Sequence, residues 1–181
     1  MRTSPSLSLV SELERLVDAL GSDSPELSQV SLPSISERIA KSFAVRIGEV
    51  AIMGLSTRWR HLYFLVPEAL KNVGYIPLSS SSALAARTAR ESRPEINNNF
   101  SATRHASVFE GVKIGNESAE AIQKIISAPI LYDGRVVGII QISRKGASTK
   151  TVGPDFTADE LGEVLALCRP LGKILQRFTA Q

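Results

Sequence analysis

Arg87, Arg90, Arg93 and Arg104 fall in one short stretch with three consecutive asparagines, Asn97 to Asn99. A guanidinium grips a carboxylate or phosphate through two parallel hydrogen bonds, and a carboxamide offers a donor and an acceptor together. The stretch could therefore hold an anionic small molecule, and the candidate ligand-binding set is Arg87, Asn97, Asn99, Phe100 and Arg104. A competing reading leaves Arg87 and Arg90 on the solvated face of a helix and uses the asparagines to turn the chain. Both stand at this point.

Catalytic groups are harder to find. The single cysteine, Cys168, lies on an apolar stripe where it acts as a small hydrophobe, and one thiol cannot form an intramolecular disulfide. His61 and His105 sit on separate elements with no carboxylate or cysteine at ligand spacing, so no metal site and no cofactor are expected. The Gly-x-Ser-x-Gly elbow of a serine hydrolase is absent. No catalytic residue is assigned, and a chain without enzymatic activity is expected.

The elements that must position these residues centre on a hairpin. Gln123 to Leu131 and Val136 to Ile142 are β-rich runs joined at Asp133-Gly134, a dipeptide that accepts the positive φ angles of a tight turn. The second run is nearly all Val and Ile, which predicts a central strand covered on both faces. After a polar loop, Thr157 and Glu160 form a capping-box pattern between Phe156 and Leu161. They open a helix from Ala158 to Phe178 with Leu161, Val164, Cys168, Leu171, Leu175 and Phe178 on one seam, and Pro170 predicts a kink midway.

Upstream, Ser6 to Leu20 is amphipathic, with Leu9, Leu13, Leu16 and Leu20 on one stripe and Gly21 as its stop. A Ser/Asp/Pro-rich linker follows. Ser34 and Glu37 then suggest a capping box for a helix to about Ile47. Val50 to Leu55 and His61 to Val66 read as a first hairpin, Ser80 to Glu91 as a short helix and Glu95 to Asn97 as a short strand. Polar residues from Asn98 to Ala121 predict a long loop, and long loops in compact domains are the first place to look for a site.

The chain has 181 residues, a net charge of +3, 43% hydrophobic and 22% charged residues, enough for one domain with an extra helix. The positive excess is small and interspersed with acids, so nucleic acid is not an expected partner. No run reaches the apolar length of a membrane span, and the N-terminal stretch lacks the apolar core of a signal peptide. A cytoplasmic protein with no membrane partner is expected.

The hairpin with Asp133-Gly134, the apolar strand Val136 to Ile142, the Ser143-Arg144-Lys145-Gly146 exit and the Phe156-Thr157-Ala158-Asp159-Glu160-Leu161 helix start together resemble the C-terminal half of a GAF domain. The serine-rich entry to the Ser80 helix resembles the middle of that family. The resemblance covers roughly Ser34 to Phe178. It implies an α+β fold, a GAF/PAS-like central antiparallel six-stranded sheet with N- and C-terminal helices packed on one face. It divides the chain into an N-terminal helix and linker, 1–33, and a GAF-like domain, 34–181.

Family subclasses differ in particular residues. Where the cyclic-nucleotide class carries Asn-Lys this chain has Ser143-Arg144, and Cys168 does not match the pocket cysteine of the bilin-binding class. The free-methionine-sulfoxide reductase class uses cysteines that pair during turnover, which Cys168 alone cannot do. The resemblance therefore implies a non-enzymatic sensing or regulatory domain. Its polar loop, Asn97 to Ile114, would wall a small-molecule pocket, its terminal helices would form a homodimer, and its signal would pass to an unidentified partner protein. The alternative is a ligand-free dimerisation or scaffolding module, with the pocket filled by Phe100, Phe109 and Tyr75.

Overall fold

The computed structural model describes residues 4–103 and 120–179. The central hairpin forms from β5, Ile122–Tyr132, and β6, Arg135–Lys145, closed by Asp133 (φ 49°) and Gly134 (φ 72°). Both strands are longer than the Val/Ile pattern predicts, because polar residues at their far ends find partners inside the fold. β1, Val50–Ser56, pairs with β6 on one side and with β2, His61–Val66, on the other. Short strands β3, Tyr75–Pro77, and β4, Glu95–Asn97, close the edges. Among the described residues the sheet has six strands in the order β3-β2-β1-β6-β5-β4, every pairing antiparallel. Pro129 fits inside β5 because β4 covers only Ser127 to Ile125, so its missing N–H falls where β5 has no second neighbour.

One face of the sheet carries three helices: α1, Pro5–Leu20, α2, Leu32–Ser42, and α4, Ala158–Thr179. Leu9, Leu13, Ile39, Ile52, Ile126, Ile140, Leu171 and Leu175 meet there in one buried cluster. Each fully buried Leu or Ile contributes about 1.5–3 kcal/mol of apolar transfer, which makes this layer the main source of stability. α4 begins as its sequence predicts: Glu160 N–H donates to Thr157 Oγ1 (3.2 Å), and Thr157 N–H to Glu160 Oε2 (2.8 Å). Pro170 is buried within α4, and the helix continues to Thr179.

Three boundaries differ from expectation. Ser31, not Ser34, caps α2 by accepting from Ser34 N–H (3.3 Å), and Pro33 suits the first turn, where its missing donor costs nothing. The helix stops at Ser42 because Ala44 turns left-handed (φ 51°), which leaves Ile47 exposed rather than on an apolar face. In α1, Val10 and Val17 enter the buried face while Leu16 is left at its margin, 37% exposed. The third helix, α3, spans Leu84–Glu91, shorter than expected, since Ser80 Oγ accepts from Ala83 N–H (3.1 Å) and holds the serine run in a turn.

Candidate functional site

α3 lies on the other face of the sheet. Alternation along a strand puts every second side chain there. Ala51, Met53, Leu62, Phe64, Ile125 and Ile139 form an apolar patch on that face, packed with Leu84 and Ala85 of α3 and with Phe100. Beside this patch the same alternation on β5 and β6 presents polar groups. Ser127 and Thr88 share a hydrogen bond (2.7 Å), Thr88 Oγ1 donates to Leu84 O (2.9 Å), and Gln141 Nε2 donates to Ser127 Oγ (3.1 Å). Ser143 Oγ donates to Glu49 O (3.3 Å). Gln141 is only 5% exposed, yet its Oε1 has no hydrogen-bond partner among the described residues. That oxygen is not among the fully buried atoms that lack a partner, so it stays open to water or to a donor from a ligand. The floor under α3 is thus half apolar and half hydroxyl and carboxamide.

At the rim, Arg87 Nη2 bonds both carboxylate oxygens of Glu95 (2.9 and 2.7 Å), tying α3 to β4. An anion at Arg87 would have to displace or share with that carboxylate. Arg90 Nη1 donates to Leu78 O and Ser80 O, so its charge braces the turn before α3, and Arg93 pairs with Glu91 (2.9 Å). Asn97 donates to Thr103 Oγ1 (3.2 Å) and accepts from Asn99 N–H (2.9 Å), closing a turn in which Asn99 is exposed. Phe100 opens a 3-10 turn, Phe100–Ala102, and is 4% exposed in the apolar patch. Tyr75, the expected co-filler, is 66% exposed at the sheet edge instead. Arg104, Phe109 and the loop wall from 104 to 114 lie outside the described residues.

Asn98, which stands between two members of the candidate set and outside it, has the most consequential contacts of the three asparagines. Its carboxamide makes two bonds to the backbone of Phe156: Nδ2 donates to the carbonyl (3.0 Å) and Oδ1 accepts from the N–H (2.8 Å). Phe156 immediately precedes the cap of α4, so the clamp connects the rim beside β4 to the last helix. Arg144 secures the same point. Its guanidinium stacks 4.7 Å over the Phe156 ring and donates to Ala44 O (3.2 Å) and Phe43 O (3.4 Å), the carbonyl end of α2. Gln141 and Ser127 likewise lie outside the candidate set. The signal in the sequence is a lone polar residue inside each otherwise apolar run.

Two other ionisable groups bear on chemistry. Burial pushes the Cys168 thiol up from 9.0 to about 12, which removes the thiolate a nucleophile needs. Arg46 is held protonated above its ordinary range, chiefly by its hydrogen bond to Glu49 and then by Glu120, against the opposing effect of burial. It also donates to Lys145 O (3.1 Å), and Glu49 in turn accepts from Lys145 N–H (2.8 Å). Arg46 thus braces the end of β6.

Among the described residues, a single antiparallel sheet with three helices on one face and a short helix over a mixed polar and apolar floor on the other defines an α+β class. Solved structures make it specific. The GAF domain of an Acinetobacter phosphoenolpyruvate-protein phosphotransferase aligns over 99% of this chain and 98% of its own, at 16% identity and a TM-score of 0.68. The corresponding GAF domain from Coxiella burnetii aligns over 97% and 95%, at 12% identity and 0.67. The free methionine-R-sulfoxide reductase of Neisseria meningitidis, solved with its substrate, aligns over 98% and 93%, at 15% identity and 0.65. No family model and no curated protein matches the sequence. The chain has the GAF-domain fold.

The reductase overturns one expectation. A chain without enzymatic activity is the expectation from the sequence, and it does not stand, since the same fold, matched over nearly its full length, is that of an enzyme. A lone buried cysteine removes disulfide-forming turnover by that residue and says nothing about other chemistry on the same fold.

Proposed function

We propose that this is a cytoplasmic sensing or regulatory domain that binds a small molecule on the α3 face of its sheet and signals to a partner protein through α4. The observation that carries the reading is the Asn98 clamp on Phe156, because it joins the rim of that face to the helix that would relay the change. A ligand supplying a donor to Gln141 and an apolar group to the Met53–Phe64 patch would favour one arrangement of the rim. Binding energy that differs between two arrangements shifts their populations, and the shift reaches α4 through Phe156. Two such chains would pair through the terminal helices.

The alternative is a dimerisation module with its pocket filled, and one observation favours it: Phe100 occupies the apolar half of the floor. Native mass spectrometry on freshly purified protein separates the readings. A retained mass that disappears in Gln141→Leu supports sensing at this face. A ligand-free dimer favours the module, and a ligand-free monomer defeats both.

A further inference from the structure

The turn between β1 and β2 carries an exposed feature with no role in that site. Trp59, the chain's single tryptophan, is 66% exposed there, and its backbone N–H donates to Ser56 Oγ (3.3 Å) to hold the turn. The Arg58 guanidinium lies 4.9 Å over the indole, and Arg60, at φ 52°, follows directly. Both arginines are exposed, and neither forms an ion pair among the described residues. No Asp or Glu occurs between Glu49 and Glu68. Adjoining the turn, His61 stacks on Tyr75 with centroids 4.2 Å apart, and Tyr75 and Val73 are 66% and 62% exposed. Two exposed aromatic side chains, Trp59 in the turn and Tyr75 on the neighbouring edge strand, thus accompany two cations without an ion pair among the described residues.

We propose that this tip is a docking surface for an acidic segment of a partner protein, one whose carboxylates meet Arg58 and Arg60 while an apolar side chain covers Trp59 and Tyr75. Trp, Tyr and Arg are the residues that concentrate binding energy at protein interfaces, and the absence of acids along this stretch sets the charge of the partner. Strand addition at the adjoining edge is disfavoured, because β3 ends in Pro77, which has no N–H to offer. Side-chain recognition at the tip fits better. The apolar area is also small for a lipid surface, which needs a wider buried face or a second anchor. The proposal shares with the function proposed above only the existence of a partner protein, and it is independent of the small-molecule site and of the route through α4.

Because Trp59 is the only tryptophan, its emission reports this surface directly. The full chain is titrated with a glutamate-rich peptide containing leucines, the same peptide with lysine in place of glutamate, single-stranded oligothymidylate, and phosphatidylserine-containing vesicles. The expected result is a saturable blue shift with the acidic peptide alone, weakened at high salt. The Arg58→Ala/Arg60→Ala double variant, which keeps the tryptophan, should lose about tenfold or more in affinity. A shift with the oligonucleotide or vesicles and none with the acidic peptide overturns the proposal in favour of that other partner. Silence with all probes, or peptide binding indifferent to the double variant, also overturns it. None of these outcomes touches the α3 face, whose own test is the retained mass described above.

Discussion

Cys168 shows how burial changes the chemistry of one residue. It is 6% exposed among Val164, Leu171 and Leu175, and its thiol is pushed up to about 12. A folded-state pKa above the unfolded one means that the unfolded chain gives up its proton first. The contribution to stability is complete below about pH 9 and is lost as pH rises toward about 12. Cys168→Ala should cost about 1 kcal/mol near neutral pH, where it leaves a small void. Above about pH 9 the parent should lose its advantage by up to about 1.4 kcal/mol per pH unit relative to the variant. Urea unfolding of both proteins near neutrality and near about pH 10 checks this, and a gap that stays constant would show the thiol to be less buried than described. Iodoacetamide should label the folded parent slowly and the unfolded one fast.

At the scale of elements, two close contacts decide how α4 sits. A Cβ added at Gly172 would run into the backbone carbonyl of Leu131, so α4 lies against β5 with no side chain between them. Gly172→Ala should therefore destabilise by about 3 kcal/mol, the upper range for overpacking, since the obstacle is backbone and cannot rotate away. A thermal melt that matches the parent would contradict the contact. Asn98→Ala removes both partners of the Phe156 backbone and should cost about 1–3 kcal/mol. Hydrogen exchange should speed up at the first turn of α4 more than at its last; uniform protection loss would make Asn98 a general stabiliser and not a link. The elements themselves were largely legible in the sequence. Asp133-Gly134, the β-rich runs and the Thr157/Glu160 box are local signals, and each formed where it predicts. The site was less so. Arg87 finds Glu95, Asn98 finds Phe156, and Gln141 finds Ser127 only once the chain has folded, and no local pattern distinguishes Asn98 from Asn97 or Asn99. The α2 start was missed because Ser31 and Ser34 both lie at helix-capping distance from plausible first turns, and Pro33 decided between them.

At the scale of the whole molecule, the described residues cover the two sheet faces unequally, three helices against one, and the thicker layer is where a second copy would pack. α1 and α4 are already fastened to each other and to their surroundings: Ser6 Oγ donates to Glu163, Arg38 pairs with Glu12 (2.6 Å), and Gln176 Nε2 donates to Ser22 O (2.9 Å). What remains for a partner copy is the outer side of α4. Gly162 and Leu165 lie three residues apart there, Leu165 is 38% exposed, and open space surrounds the Gly162 Cβ position. A two-fold interface uses each position twice, so a change at Leu165 is felt on both sides of the axis. Fully covering a leucine is worth about 1.5–3 kcal/mol, and 1.4 kcal/mol is tenfold in affinity. Leu165→Glu is therefore expected to weaken the dimer at least about tenfold in sedimentation equilibrium while leaving the melting temperature of the monomer nearly unchanged, because the side chain is not part of the buried cluster. A parent that sediments as a monomer at every concentration would remove the dimer. A dimer equally tight in the variant would move the axis away from α4, and with it the route by which a change at Phe156 could reach a second chain.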